Sequence, residues 1–117
     1  MSRVFGVCCI AALLLAGSAQ AAKPKPTRLT ASVGPGFTIT LKKGRAKVKT
    51  LKPGAYLIRV SDRSSFHNFH ITGRGVNRAT TVAFVGNRSF RVTLRRGTYR
   101  YRCDPHRRQM KGSFRVR

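Results

Sequence analysis

Apolar and polar side chains alternate along most of the chain from Arg28 onward. A period of two places successive side chains on opposite faces of a strand, so this pattern predicts β-strands with one buried face. Threonine and arginine occupy many of the intervening, outward positions. The apolar members of the runs are Phe37, Ile39 and Leu41; Tyr56, Ile58 and Val60; Phe90, Val92 and Leu94; Tyr99, Tyr101 and Cys103; and Phe114 and Val116.

Turn signals separate the runs about every 8 to 14 residues, a spacing typical of an all-β sandwich or barrel. They are Gly34-Pro35-Gly36, Lys43-Gly44, Lys52-Pro53-Gly54, Gly73-Arg74-Gly75, Gly86-Asn87, Arg96-Gly97 and Lys111-Gly112. No later window has the pattern of a three-turn amphipathic helix. We therefore predict one antiparallel β-sandwich domain over residues 28–117, with residues 72–83 as an irregular connection that crosses between sheets.

Residues 1–21 have the features of a secretory signal peptide. Arg3 precedes an apolar run over residues 4–16, and Ala19-Gln20-Ala21 fits a cleavage site. The run is shorter than the roughly 20 apolar residues of a transmembrane helix, so an uncleaved anchor is the weaker alternative. Residues 22–27, charged and rich in proline, predict a flexible leader. We expect an exported monomer (periplasmic, extracellular or cell-surface) without a transmembrane anchor.

The positions of the three cysteines bear on the chemistry of the exported protein. Cys8 and Cys9 lie within the signal peptide, so the exported protein would keep only Cys103. A single thiol cannot form an internal disulfide, and in an oxidising compartment it is vulnerable unless something occupies it. A metal ion is one such occupant.

The chain is strongly basic, because it has 25 lysines and arginines but two acidic residues, for a formal net charge of +23. Loss of Arg3 with the signal peptide lowers this by one. Such a chain is expected either to bind an anionic partner, whether nucleic acid, an anionic membrane or cell-wall surface, or an acidic protein, or to use the charge for solubility. Composition does not distinguish these alternatives.

Four side chains form the candidate metal site. Cys103 ends a predicted strand, His106 and Met110 follow within one loop, and His67 lies on an earlier β-rich segment. Two imidazoles, a thiolate and a thioether are the ligands of a type 1 copper site. Each residue alone has an ordinary explanation: a core methionine, a turn histidine, or a small buried cysteine. In this order, and at a strand end, they predict a metal site.

His67 is preferred to His70 as the upstream ligand. A spacing of three places the two on opposite faces of a strand. Phe69 and Ile71 share the face of His67, so His70 is expected to point outward. We interpret it as a surface histidine, with an adventitious metal site as the alternative.

The segment from Gly97 to Gly112 resembles the copper loop of the cupredoxin family, in particular of its plastocyanin-, pseudoazurin- and amicyanin-like members. The shared features are Gly-Thr-Tyr-x-Tyr-x-Cys, here ending at Cys103, followed by Cys-x-Pro-His and then Met. The pair His67-Asn68 resembles the first-ligand segment of the same family. The resemblance implies a Greek-key sandwich holding one type 1 copper ion. This loop departs from the pattern by having three residues between His106 and Met110, where plastocyanin-like loops have four and amicyanin-like loops two.

The resemblance also implies supporting roles. The side chain of Asn68 would tie the His67 segment to the copper loop near Asp104, and its backbone N–H could donate to the sulfur of Cys103. Pro105 would stiffen the loop and remove a competing N–H.

We predict no enzymatic activity, because Asp62 and Asp104 are the only acids and cannot supply paired acid–base carboxylates. A nucleophilic Cys103 with a histidine is formally possible, but Met110 favours metal. The preferred function is one-electron transfer towards an acidic redox partner. The resemblance implies that the electron leaves through the exposed edge of His106. The alternatives are copper delivery, and a cationic module for surfaces or nucleic acid. Specific nucleic-acid binding is not expected, because Tyr99 and Tyr101 share the buried face of Cys103.

Overall fold

A computed structural model describes residue 17 and residues 25–117 of the chain. The predicted signal peptide, apart from Gly17, and residues 22–24 of the predicted leader lie outside the described residues. The rest forms an all-β structure of two five-stranded sheets, which confirms the predicted fold class. In the described part, no helix is long and apolar enough to cross a bilayer.

The first sheet has the strand order β3-β2-β1-β5-β8, and the second has the order β4-β10-β9-β6-β7. The strands are β1 (Thr27–Val33), β2 (Ile39–Lys43), β3 (Ala46–Lys47), β4 (Thr50–Leu51), β5 (Gly54–Asp62), β6 (His70–Gly73), β7 (Val76–Ala79), β8 (Gly86–Leu94), β9 (Gly97–Arg102) and β10 (Lys111–Val116). The first strand therefore begins one residue earlier than expected, within the predicted leader.

Most strand pairs are antiparallel, but β1 pairs with β5, and β10 with β4, in parallel. The reason is the path of the chain, which visits the second sheet at β4 before it returns to the first as β5. It then enters β5 at the end where β1 begins, with Thr27 opposite Tyr56. The sandwich is thus mixed in detail, as crossovers between sheets require.

The core lies between the two sheets and follows the predicted alternation. In β1, Leu29, Ala31 and Val33 are buried while their neighbours are exposed. The aromatic residues of the second sheet stack in pairs, with Tyr99 on Phe114 at 5.3 Å between ring centroids. Burial of such rings dominates the energetics of a small core.

Two expectations need correction. Phe37 was predicted to lie on a buried strand face, but it is 63% exposed, because β2 begins only at Ile39. The N–H of Gly34 donates to the carbonyl of Thr38 and closes a turn that leaves Phe37 in a loop. Residues 72–83 are also more regular than expected, since they include the end of β6 and all of β7. Only the segment after Ala79 crosses to the first sheet.

One end of the sandwich collects the loops that matter for function. Strands β1, β5 and β9 finish there, at Val33, Asp62 and Arg102. The connections over residues 34–38, 63–69, 80–85 and 103–110 therefore meet at this end. Its strand ends fix where each loop starts, so the sandwich acts as the frame for the site.

Gly112 is required by a close approach within the second sheet. It lies opposite Tyr101, and the tyrosine ring covers the place that a Cβ atom would occupy. We expect Gly112→Ala to lower the free energy of unfolding by about 1–3 kcal/mol, because the ring must move within a packed core. Urea denaturation measures this. Gly36→Ala, where a Cβ meets nothing, is the control, and equal midpoints for the two variants would contradict the prediction.

Candidate metal centre

Three donor atoms converge at the loop-bearing end of the sandwich. The Nδ1 atoms of His67 and His106 are 3.1 Å apart. The sulfur of Cys103 is 3.7 Å from the first of these nitrogens and 3.6 Å from the second. His67 comes from the loop before β6, and the other two from the loop after β9. The fold thus unites segments that are far apart in the sequence.

The spacing of these atoms fits a single metal ion. A point equidistant from the three lies about 2.0 Å from each, which is the length of a metal–imidazole bond and slightly shorter than a metal–thiolate bond. Cys103 and His67 are buried, and His106 is partly exposed. Two imidazoles and one thiolate in a trigonal arrangement are the equatorial donors of a type 1 copper site.

The loop from Cys103 to Met110 is closed by its own backbone. A 3-10 turn over Asp104–His106 begins it, and the N–H of His106 donates to the carbonyl of Cys103. The carbonyl of His106 then accepts from both Gln109 and Met110, so the three-residue spacing is spanned by one tight turn. The N–H of Cys103 donates to the carbonyl of Met110 at 3.0 Å. Met110 is fully buried at this end, directly before β10.

Asn68 connects three segments around Cys103. Its backbone N–H donates to the cysteine sulfur at 3.4 Å. Its side-chain amide donates to the carbonyl of Thr80 at 3.1 Å and to Oδ2 of Asp104 at 2.8 Å. Its Oδ1 accepts the backbone N–H of Asp104 at 2.8 Å. The contacts that the resemblance implied for Asn68 are therefore present, and both the oxygen and the nitrogen of the buried amide have hydrogen-bond partners.

Asp104 remains ionised at neutral pH. Burial raises the pKa of its carboxyl, but hydrogen bonds from Arg102, Asn68 and His70 together outweigh burial and bring the pKa to about 2. The guanidinium Nε of Arg102 lies 2.9 Å from Oδ1. A charged acceptor forms stronger hydrogen bonds than a neutral one, so ionisation strengthens the link to Asn68. Pro105 follows within the 3-10 turn and is exposed.

The structure corrects the interpretation of the two upstream histidines. Strand β6 begins only at His70, so His67, Asn68 and Phe69 lie in a loop, where all three are buried. Strand alternation therefore does not explain why the two histidines differ, although His67 is the one whose imidazole lies beside the sulfur of Cys103. His70 is not a free surface side chain, because its Nδ1 lies 2.9 Å from Asp104 and its Nε2 lies 2.6 Å from Asn77.

The ring of His67 is packed on two sides. Gly34 has a left-handed backbone with φ of 66°, and a Cβ there would lie 3.2 Å from the imidazole Cδ2 and 3.0 Å from Cβ of Ser64. Phe37 meets the rings of His67 and His106 edge-on, at centroid distances of 5.5 and 4.9 Å. These contacts limit the rotation of both imidazoles.

Asp62 shapes the loop that carries His67. Its Oδ1 accepts the N–H of Ser64 at 3.0 Å, and the Ser64 hydroxyl accepts the N–H of Phe66. Burial raises the pKa of the Asp62 carboxyl, while the bond from Ser64 and the nearby His67 act in the opposite direction. Its other oxygen, Oδ2, is buried without a hydrogen-bond partner in the described structure.

Sequence reasoning missed several of these contributors. Gly34 stood within a recognised turn signal, but nothing local marked its contact with an imidazole. The spacing of Asp62 and Ser64 is that of an Asx turn and could have been recognised. Phe37 fits the alternation of a buried strand face, so sequence reasoning placed it in the core and not in the loop that contacts the two imidazoles. Thr80 carried no local signal, although its hydroxyl accepts the N–H of Phe69 at 2.9 Å.

Two five-stranded sheets with a His–Cys–His cluster at one end define a cupredoxin-like sandwich. Among solved structures, the chain is similar to rusticyanin from Thiobacillus ferrooxidans, with 23% identity and a TM-score of 0.58 over 81% of this chain and 79% of that one. Reduced rusticyanin gives 22% identity and a TM-score of 0.59, with 82% of each chain covered. A rusticyanin variant with glutamine in place of a methionine gives 20% identity and a TM-score of 0.61, over 81% of this chain and 80% of that one.

The chain therefore has the cupredoxin fold, as its C-terminal motif predicted. At this level of identity, the likeness to rusticyanin is one of fold. No family model matches the chain, and no curated protein matches it in sequence.

Asn68→Ala tests the link between the two ligand segments. Loss of the amide removes the partner of the Thr80 carbonyl and of the Asp104 backbone N–H, which costs about 1–3 kcal/mol. We expect a lower melting temperature of the copper-loaded protein and a shifted reduction potential. Asn87→Ala, at an exposed position of β8, is the matched control. An unchanged potential and melting temperature for Asn68→Ala would show that the link does not support the site.

Gly34→Ala tests the packing against His67. Left-handed backbone costs a residue with a Cβ about 1–2 kcal/mol, so this variant and Gly44→Ala, with φ of 61° in open space, should lose similar stability from strain. Only Gly34→Ala presses on the imidazole. We therefore expect a displaced visible absorption band for copper-loaded Gly34→Ala, recorded by absorption spectroscopy. Identical spectra for the two variants would contradict this.

Proposed function

We propose that the protein binds one copper ion through His67, Cys103 and His106, with Met110 as the axial thioether, and carries single electrons. The convergence of the three donor atoms around one point is the observation that carries the proposal. Copper in such a site cycles between its two oxidation states, because thiolate and thioether favour Cu(I) and imidazole suits both.

The surroundings of the donors suit electron transfer, because a carrier must change oxidation state with little rearrangement. The Cys103 side chain is fully buried and accepts the N–H of Asn68. His67 is held by Gly34 and Phe37, and the loop to Met110 is closed by backbone hydrogen bonds. The two acids within the described part are both engaged in structure, which leaves no free carboxylate for acid–base catalysis.

The exposed edge of His106 is the proposed exit for the electron. Phe37 lies against its ring, and Phe66 and Val85 are the other large apolar side chains that are more than half exposed in the described part of the chain. All three belong to loops at the site end. An exposed apolar group on an otherwise cationic molecule marks a contact surface. Arg107 and Arg108 directly follow His106 in the loop and are exposed, so we propose an acidic redox protein as the partner.

Export is proposed from the sequence of residues 1–21. The protein would act outside the cytoplasm, with Cys103 protected from oxidation by the copper it binds. The absence of a second cysteine after the signal peptide agrees with this arrangement.

The visible spectrum tests the metal site. On addition of Cu(II) to the purified chain, we expect an intense thiolate-to-copper band that is absent from Cys103→Ser. Ascorbate should bleach the band, and reoxidation should restore it with the copper still bound. A colourless copper complex would contradict the type 1 site. Release of copper on reduction would contradict electron transfer and favour copper delivery.

A further inference from the structure

A strongly cationic cleft lies beside the copper loop, on the outer face of the second sheet. It has a volume of about 660 Å³ and is lined by five basic side chains, with no acidic one among its lining residues. Strands β9 and β10 contribute most of it, and residues from β3, from β6 and from the loop add the rest. The basic residues are Lys47, Arg100, Arg102, Arg107 and Lys111.

The strand register concentrates these charges. Lys111 lies directly opposite Arg102, and Arg100 is on the same face of β9 two residues away, opposite Ser113. Residues opposite each other on antiparallel strands are about 5 Å apart, and like charges there destabilise the sheet. The cluster thus has an unfavourable self-energy that a bound anion would relieve.

Within the described part of the chain, Arg102 is the only one of the five basic cleft residues that forms a salt bridge. Of the two acids in that part, Asp62 is buried and Asp104 pairs with Arg102 at 2.9 Å. No salt bridge is formed there by Arg100 or by Lys111. A concave surface lined by charge of one sign focuses the electrostatic potential and attracts ions of the opposite sign.

We propose that this cleft, named here the β9–β10 cleft, binds an acidic segment of the redox partner, an inference that rests on the proposed function. Arg107 belongs to the loop that holds His106, so the cleft adjoins that loop. A partner seated against His106 would place its neighbouring segment over the cleft. Carboxylates match arginine well, since a guanidinium binds a carboxylate through two parallel hydrogen bonds.

Other polyanions fit the cleft less well. Single-stranded nucleic acid binds on exposed aromatic rings, but Tyr101, the aromatic residue of the lining, is buried beneath the sheet face. A bilayer presents a planar surface, which cannot enter a concave cleft. An acidic polypeptide segment can enter it and offers carboxylates at short, regular intervals.

A matched pair of double variants tests the proposal. Arg100→Gln with Lys47→Gln removes two charges from the cleft without touching the copper loop. Arg28→Gln with Lys52→Gln removes the same two residue types from exposed positions that do not line the cleft. Equal changes in net charge separate a local site from the general attraction of a basic protein.

The probe is a short oligoglutamate peptide, titrated at low salt into the unmodified chain and both double variants, in copper-loaded and metal-free form. We expect at least a tenfold loss of affinity for the cleft variant and less than a twofold loss for the control. In nuclear magnetic resonance spectra, the amide shifts should concentrate in β9 and β10. Affinity should also fall as salt rises.

Two results would overturn the proposal: equal losses in both double variants, or tighter and equally cleft-dependent binding of a single-stranded oligonucleotide of the same charge. Failure here is distinguishable from failure of the proposed function, because peptide binding is measured with and without copper. A normal visible band with equal losses would reject the cleft alone. Cleft-dependent binding by a protein that forms no band would reject the copper site alone.

Discussion

The pair of hydrogen bonds between Asn68 and Asp104 is the constraint on which the candidate site depends. The two residues are 36 positions apart in the chain, yet each donates to the other at 2.8 Å. This link holds the loop of His67 at a fixed position relative to the loop of Cys103, so that an imidazole nitrogen and a thiol sulfur lie 3.7 Å apart. The sheets bring both loops to one end, and this cross-link, together with the bond from the Asn68 N–H to the Cys103 sulfur, sets their separation.

Acidic and basic side chains occupy different parts of this molecule. The two acids of the chain both stabilise loops at the site end, where Asp62 holds the turn before His67 and Asp104 holds Asn68. The lysines and arginines of the strands remain on the outer faces, because the period-two pattern places them opposite the core. Apart from Arg102, which pairs with Asp104, the lysines and arginines of the described residues form no salt bridge, while the site end exposes apolar side chains. This combination agrees with the acidic partner proposed above.

The copper loop shows how a short connection can present several ligands. The carbonyl of His106 accepts two backbone N–H groups, and the N–H of Cys103 donates to Met110. These bonds bring the chain straight into β10, whose first residue, Lys111, pairs with Arg102. An extra residue would have to bulge from this turn, so the intermediate spacing between His106 and Met110 is built into the sheet pairing.

The sequence by itself determined most of the strands and core residues and indicated the three side chains that converge at the site end, since alternation and a compact C-terminal motif are local signals. It also indicated Asn68 and Asp104, through the resemblance of the motif. Only the tertiary structure decided that Phe37 leaves the core to cover two imidazoles, that His70 bonds to Asp104, and that Gly34 packs on His67. Parallel pairing of β1 with β5 was decided there as well. These features depend on contacts between segments distant in the chain, and a period of two along one segment carries no information about them.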